Sequence, residues 1–565
     1  MLGQDDLQRS FFDAGLAVED LLKPDDFYGV LYRLGPKLLS DEDFADCYDG
    51  TTGRPSVPPS RMFKLVLLQA FEDLSDRQAL ERMAFDLRWK AVLDMDVDER
   101  AVGQTTLSEF RARVQTHEKM EEAFRRFLEG LVEAEVLGRD EVQLMDSSAI
   151  WGRGAVQDTY NLIGGAVRKL LGAAARRRQR SPEELAGEIG LVLTAPEKSG
   201  SLKGRAGIDW SKAEDRRAFL NELVEEARRL VHALDSEESE APEVAEAVAL
   251  LRRILLQDLR PVPDDEGQQD PEQEPPDDGQ GGDDAQAVLE LGTEVELRHG
   301  VARDRVMSTG DPEMRHGHKS PQRRWDGYKV HVSADADHGF ITAIEVTEAN
   351  AHDSEAAPAL IRQHRDYGLE PSAHVGDAAY SKAELRQWAG EEGTEIIAPV
   401  PPPARREGCF SKQDFEVDLE VGSVMCPAGQ TTHRSFQHSG GGRVFVFDGA
   451  TCATCSLRER CTARAPETMR KTGKGRSIVC HALEHVLEAA REAQKTARVQ
   501  GLLAHRWKVE QGIGHLMRRG LRQARYIGRR KTRFQAFTMG LVTNLVRFAG
   551  LCEHALGGKT AWNPA

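Results

Sequence analysis

Hydrophobic positions in the first 135 residues recur every three or four residues. Pro36–Leu39, Met62–Phe71, Asp76–Leu93 and Thr105–Phe127 carry this spacing, which predicts amphipathic helices. Ser75-Asp76 and Thr105-Thr106 supply N-cap chemistry, and Gly50–Pro59 interrupts the pattern with glycine and proline. The period then changes. Glu141–Asp146 alternates apolar and polar positions and predicts a strand, while residues 156–260 return to a helical period. Gly327–Asp335 and Phe340–Asn350 alternate again across a turn at Asp337-His338-Gly339. A helix over Ser354–Tyr367, a strand over Ala373–Asp377, a helix over Lys382–Gly390 and a strand over Glu395–Val400 follow. Pro401-Pro402-Pro403 stops the series; residues 404–480 are turn-rich and β-like, and about 482–552 is helical.

The first three strands predict an antiparallel meander. The last two, each reached through a helix, pair in parallel by right-handed crossovers. This is the topology of a ribonuclease-H-like fold: an α/β core with a mixed five-stranded sheet in which the first and fourth strands are neighbours. Asp146 and Asp377, expected at the ends of those two strands, would project from one sheet edge. Two carboxylates so placed suit a hard divalent cation such as Mg²⁺ or Mn²⁺. For either aspartate alone, a turn or cap role is the simpler reading.

Charge sharpens this picture. The net charge of −17 speaks against a nucleic-acid partner only as an average. Asp235–Gln286 carries −14, and Pro261–Gln286 has no lysine or arginine and few large apolar residues, so it is expected to be a disordered linker within a helical insertion. Lys495–Gln535 carries +11, with 12 basic residues and one acid, Glu510. A lone carboxylate in a phosphate-binding environment fits a third metal ligand. Arg506 shares its helix face at i, i+4; as a simple exposed pair the two would contribute only about 0.3–0.5 kcal/mol. The N-terminal residues lack a basic and apolar leader. Phe534–Cys552 contains Gln535, Asn544 and Arg547, which mark a buried helix rather than a membrane span. Eight cysteines in a chain of this length make no disulfide framework, so a cytoplasmic location is expected.

Several segments together resemble the DDE transposases of bacterial insertion sequences, in the branch of the IS-four and IS-five types and nearest the IS-eleven-eighty-two group. They are Gly53-Arg54-Pro55 with Met62–Arg77, Thr106–Arg111, Leu144–Ser148, Gly327–Asp335, Asn350-Ala351-His352-Asp353, Val375–Ser381 and Arg506–Glu510. The resemblance implies Asp146, Asp377 and Glu510 as catalytic triad and ligands of two Mg²⁺ or Mn²⁺ ions, with Arg506 as the arginine preceding the family's glutamate. Leu503 and Met517 stand where the family's tyrosine and lysine are expected. The implied activity is cleavage and strand transfer at phosphorus on double-stranded DNA, namely the element's terminal inverted repeats and a target, by a homodimer. A nuclease without strand transfer and a non-catalytic, transposase-derived DNA-binding protein are the alternatives. The expected organisation is a helical DNA-binding or dimerisation domain (1–135), the core's first strand (136–160), an insertion (161–326) with linker 261–286, the continued core (327–403), a β-rich Cys-containing insertion (404–481) and C-terminal core helices (482–565).

DNA contacts are expected from Lys329, Arg506, Lys508, Arg518, Arg519, Arg522, Arg525, Arg529, Arg530, Lys531 and Arg533. Trp507 and Tyr526 are candidates to stack on an unpaired base, or core residues. His316 and His318 are expected in a basic DNA-contacting loop. Tyr380 is read as packing or a phosphate contact, and Ser381 as the cap of the next helix. Cys452-x-x-Cys455 with Cys461 and Cys426 has the residue types for structural zinc, with Cys480, His481 and His485 competing and reduced structural thiols as the other reading.

Overall fold

Capping chemistry divides what the hydrophobic period runs together. In this computed structural model, which describes residues 1–4, 10–49, 54–196, 200–262, 282–403, 407–438 and 441–556, the runs Asp76–Leu93 and Thr105–Phe127 are each split between two helices, whereas Phe27–Leu38 and Pro59–Phe71 start earlier than their pattern. Asp76–Phe85 ends at Asp86, whose carboxylate accepts from the Arg88 N–H at 3.0 Å and starts a new helix, Leu87–Val92. Gln104–Thr116 and Lys119–Glu133 are separated by Glu118, which takes a left-handed φ of 52°. Ser75 forms the expected cap as part of a capping box with Gln78, whereas Gly103, not Thr105, precedes the later helix. Residues 50–53 of the breaker segment and 263–281 of the expected acidic linker lie outside the described residues.

The central sheet has six strands: β1 (Gln143–Trp151), β2 (Arg315–Ser320), β3 (Arg323–Asp335), β4 (Ile341–Glu348), β5 (Ala373–Val375) and β6 (Glu395–Ile397). Five were expected. The sixth, β2, is the segment read as a basic loop. It pairs antiparallel with the N-terminal part of β3, and His316 Nδ1 lies 2.7 Å from Asp326 Oδ1. The rest of that edge of β3 pairs with β4, and its other edge with β1. β1 then pairs in parallel with β5, and β5 with β6. β1 runs on to Trp151, held by antiparallel register with β3 along its whole length, so Asp146 sits within the strand opposite Val332 rather than at its end.

Helices α1 (Asp353–Asp366) and α2 (Ala383–Glu391) cover one sheet face, enclosing Met145, Leu360, Ile361, Tyr380 and Leu385. The other face meets α3 (Trp507–Leu516), α4 (Arg529–Leu556) and the N-terminal helices in one continuous core. Phe124 meets Phe537 edge-on at 5.3 Å, and Phe127 meets both Phe340 and Phe548. Leu503 and Met517 pack against this same core. Asn544, buried on α4, brackets the β4 backbone by accepting from Ile341 N and donating to Ile341 O, both at 2.8 Å. Among the described residues no helix is long and apolar enough to cross a membrane.

Two insertions carry their own cores. Between β1 and β2, helices Thr159–Arg177, Pro182–Ile189, Ala213–His232 and Pro242–Asp258 enclose a separate apolar cluster. Its loop 192–194 is held by fully buried Glu226, which accepts from Val192 N, Leu193 N, Thr194 N and Thr194 Oγ1. Glu226→Ala strands several buried donors and is expected to destabilise this insertion by about 3 kcal/mol. Hydrogen exchange should show faster exchange across Ala213–His232 while the sheet stays protected; unchanged protection would refute the role. Between β6 and α3, two small three-stranded sheets surround a minor core.

Candidate active site

The parallel pairing of β1 and β5 sets the level of the two aspartates. Leu144 lies opposite Val375, so Asp146, still on β1, and Asp377, just past the end of β5, are each two residues farther along, close enough for their charges to interact. Beyond Val375 the chain leaves the ladder through Gly376, whose N–H reaches Ile397 O at 2.9 Å. A Cβ on Gly376 would stand 2.5 Å from the Tyr380 ring, so the close turn back requires glycine. Asp377 caps that turn through one oxygen, Oδ1, which accepts from Ala379 N at 2.9 Å.

Asp146 is the electrostatic centre of the site. Burial pushes its carboxyl up to about 6, and the charges of Asp377 and Glu510 act in the same direction. The Ser147 N–H, 2.8 Å away, and the Arg506 guanidinium oppose the shift. Glu510 arrives on α3, whose Val509, Ile513 and Leu516 are buried as the helix packs on β1 and β3. Its own side chain is 57% exposed, with Oε1 3.8 Å from an Arg506 terminal nitrogen. Arg506 Nε is buried without a hydrogen-bond partner. The three carboxylates thus share one field, although their oxygens do not all lie within 4.8 Å of one another.

A supporting network escaped the sequence reading. Asp353, at the start of α1, accepts from Ser147 Oγ at 2.8 Å and from Lys329 Nζ at 2.7 Å, and Lys329 also donates to Ala351 O. Burial would raise the Asp353 carboxyl, but its bond and charge pairing with Lys329 hold it below the usual range. Lys329, expected on DNA, is only 14% exposed and is linked through Asp353 to Ser147, the residue following Asp146. The signal was present in the quoted Asn350–Asp353 segment, but nothing local says that its aspartate reaches β1. Tyr380 is fully buried, and its hydroxyl has no hydrogen-bond partner while lying in the field of Asp353, Asp146 and Asp377. Ser381 is not the helix cap; Lys382 occupies that position without a side-chain bond.

The basic C-terminal residues divide into two groups. Arg533 pairs with Glu121 and Glu345, Arg525 with Asp73, and Arg519 lies over the Phe71 ring at 5.3 Å. Lys508 donates to the carbonyls of Ala336 and Asp337. Arg529 reaches Glu348 at 3.3 Å and Arg530 reaches Gln115 O at 3.2 Å, yet both remain exposed. Arg518, Arg522 and Lys531 are exposed on the same part of the chain. Trp507 is 55% exposed beside Glu510, whereas Tyr526 packs edge-on against Phe534. Cys426, Cys452, Cys455 and Cys461 line a single cavity in the β-rich insertion.

Comparison with known proteins is consistent with this architecture. A family model described as "Transposase DDE domain" matches residues 293–545, which include Asp377 and Glu510 and begin downstream of Asp146. A second, described as "Transposase domain (DUF772)", matches residues 16–113, within the N-terminal helices. Together they indicate a transposase of the DDE type. No curated protein and no solved structure matches the chain.

Proposed function

We propose that this protein is a DNA transposase that binds the ends of a mobile element and performs metal-dependent cleavage and strand transfer, with Asp146, Asp377 and Glu510 as its catalytic carboxylates. The observation that carries the reading is the level placement of Asp146 on β1 and Asp377 just past the end of its parallel neighbour β5, with Glu510 and Arg506 in the same field. The strand order β4-β3-β1-β5-β6 supports a ribonuclease-H-like core, with β2 as an addition on the β3 edge. The finer placement in the IS-eleven-eighty-two group rests on the sequence segments quoted above.

The donor set fits a divalent cation. All three groups offer hard oxygens, and the half-buried Asp146 carboxylate has two like charges near it and one arginine to offset them. A bound Mg²⁺ or Mn²⁺ pair supplies Lewis acidity and makes a water or 3′-hydroxyl nucleophilic at neutral pH. Asp146 and Asp377 are the ligands with fixed positions, because a strand ladder and a capped turn hold their backbones. Glu510 is the adjustable one, on an exposed helix face. Arg506, 3.8 Å from Glu510 and opposing the upward shift of Asp146, balances the carboxylate charge. Lys329 and Asp353 keep the β1 backbone beside Asp146 from shifting.

The exposed basic residues form the DNA surface in this reading. Replacing Arg518, Arg522 and Lys531 together by alanine is expected to reduce the slope of log affinity against log salt by about 3, one released phosphate contact for each. Fluorescence anisotropy on duplex DNA over a salt series measures it; an unchanged slope would remove these residues from the interface. Two ends have to be brought together, so a homodimer is expected.

The functional test uses duplexes carrying the element's terminal inverted repeats. Cleavage followed by joining to a target duplex supports the transposase. Cleavage alone identifies a nuclease, and binding without cleavage identifies the non-catalytic derivative.

A further inference from the structure

The β-rich insertion between β6 and α3 has too little core for its size. Residues 407–438 and 441–480 form two three-stranded sheets whose strands are mostly two or three residues long. Their buried cluster is Phe415, Val424, Phe445, Phe447, Ile478 and Cys480. A unit of this size with so few buried side chains normally needs a covalent or metal staple. All of its cysteines are free thiols.

We propose that Cys426, Cys452, Cys455 and Cys461 bind one structural zinc ion that holds this insertion together. Three separate loops bring them to one place. Cys426 opens a tight hairpin turn, with its N–H on Gln430 O and its carbonyl accepting from Gly429 N, both at 2.8 Å. Cys452 lies on the short helix Gly449–Ala453, and Cys455 follows in a turn closed by its N–H on Cys452 O at 3.3 Å. Cys461 ends the helical turn Arg458–Cys461. The four residues line a cavity of about 100 Å³ walled by Phe410, Phe447 and Leu457.

Backbone donors already point at the sulfurs. The Leu457 N–H lies 3.4 Å from Cys455 Sγ, and the Arg476 backbone N–H favours the Cys452 thiolate. Such N–H···S bonds are the outer-shell support that thiolate ligands use. Four soft sulfur ligands in a closed site select zinc over the hard cation that suits the carboxylates. The spatial arrangement also decides among the competing ligands. Cys480 and His481 line a different pocket, and His481 Nε2 is 3.1 Å from Glu384. Cys409 faces Glu459 O instead.

No three of the four sulfurs lie within 4.8 Å of one another. Tetrahedral zinc, with Zn–S of about 2.3 Å, brings sulfurs to roughly 3.8 Å apart, so the loops close onto the ion and fill the cavity.

The test is metal analysis of the full-length protein purified without chelator. About one zinc per chain is expected, falling below roughly a tenth in Cys452→Ser/Cys455→Ser and unchanged in Cys480→Ser. Because the double variant is expected to loosen the insertion, two wild-type measurements accompany it. Cobalt substitution should give thiolate-to-cobalt charge transfer and intense visible bands of a tetrahedral sulfur site. Chelation should make residues 407–480 protease-sensitive while the sheet around Asp146 resists. Absence of zinc, iron in its place, a Cys452–Cys455 disulfide in the purified protein, or full zinc in the double variant would each overturn the proposal.

Discussion

Asp377→Asn is expected to lower metal-dependent DNA cleavage at least about a thousandfold and to leave binding of end DNA nearly unchanged. The substitution separates the two tasks of this side chain. As a cap, Asp377 uses one oxygen to accept from Ala379 N, and the asparagine carbonyl can do the same. The turn Ala378–Tyr380 and the packing of Tyr380 against Gly376 therefore survive. What is lost is the negative charge level with Asp146. Metal ligation by a carboxylate contributes several kcal/mol to the transition state, and each 1.36 kcal/mol is a factor of about ten. The measurement is a single-turnover cleavage assay with saturating Mg²⁺ or Mn²⁺, paired with a binding titration. Wild-type cleavage by the variant would take Asp377 out of the site.

Gly327→Ala is expected to destabilise the core by about 4 kcal/mol, combining overpacking with an unfavourable backbone conformation. Gly327 sits at φ 151°, opposite Trp151 on β1 and Arg315 on β2. A methyl there would stand 2.2 Å from Gly152 N and 2.4 Å from Ile150 O. Both are backbone atoms of the paired strand, so no rotamer change relieves the contact. Relief means opening the end of β1 and losing the bond from Gly152 N to Asp326 O at 2.7 Å. Gly390→Ala is the control: it lies in α2 with nothing within 4 Å of the added methyl, so it should be neutral or slightly stabilising. Thermal unfolding of the two variants measures the difference, and equal melting temperatures would refute the close approach.

The segments proposed to carry the chemistry stood out from their surroundings for a physical reason. Asp146 and Asp377 each sit in or directly after a short alternating run, and Glu510 is the lone acid in a basic stretch. Local pattern suffices to nominate such residues. Lys329 was read as a DNA contact because a lysine in an alternating strand looks solvated, yet its ammonium turns to Asp353. Arg519, Arg525 and Arg533 looked like a uniform positive surface, but Phe71, Asp73, Glu121 and Glu345 claim them. Those partners come from the N-terminal helices and β4, hundreds of residues away, and no window along the chain contains them. The segment around His316 reads as a loop because its strand character depends on β3 lying alongside.

The sequence by itself determined much of the alternation of helix and strand, located five of the six strands of the central sheet and nominated the three acidic candidates. These follow from periodicity, charge and breakers, which act over a few residues. Only the tertiary structure decided that Asp146 lies within a strand at the level of Asp377, that the N-terminal helices share one core with α4, which basic residues remain exposed, and which four cysteines face one cavity. Those outcomes depend on contacts between distant segments, where burial and pairing rather than local preference set each side chain's partner.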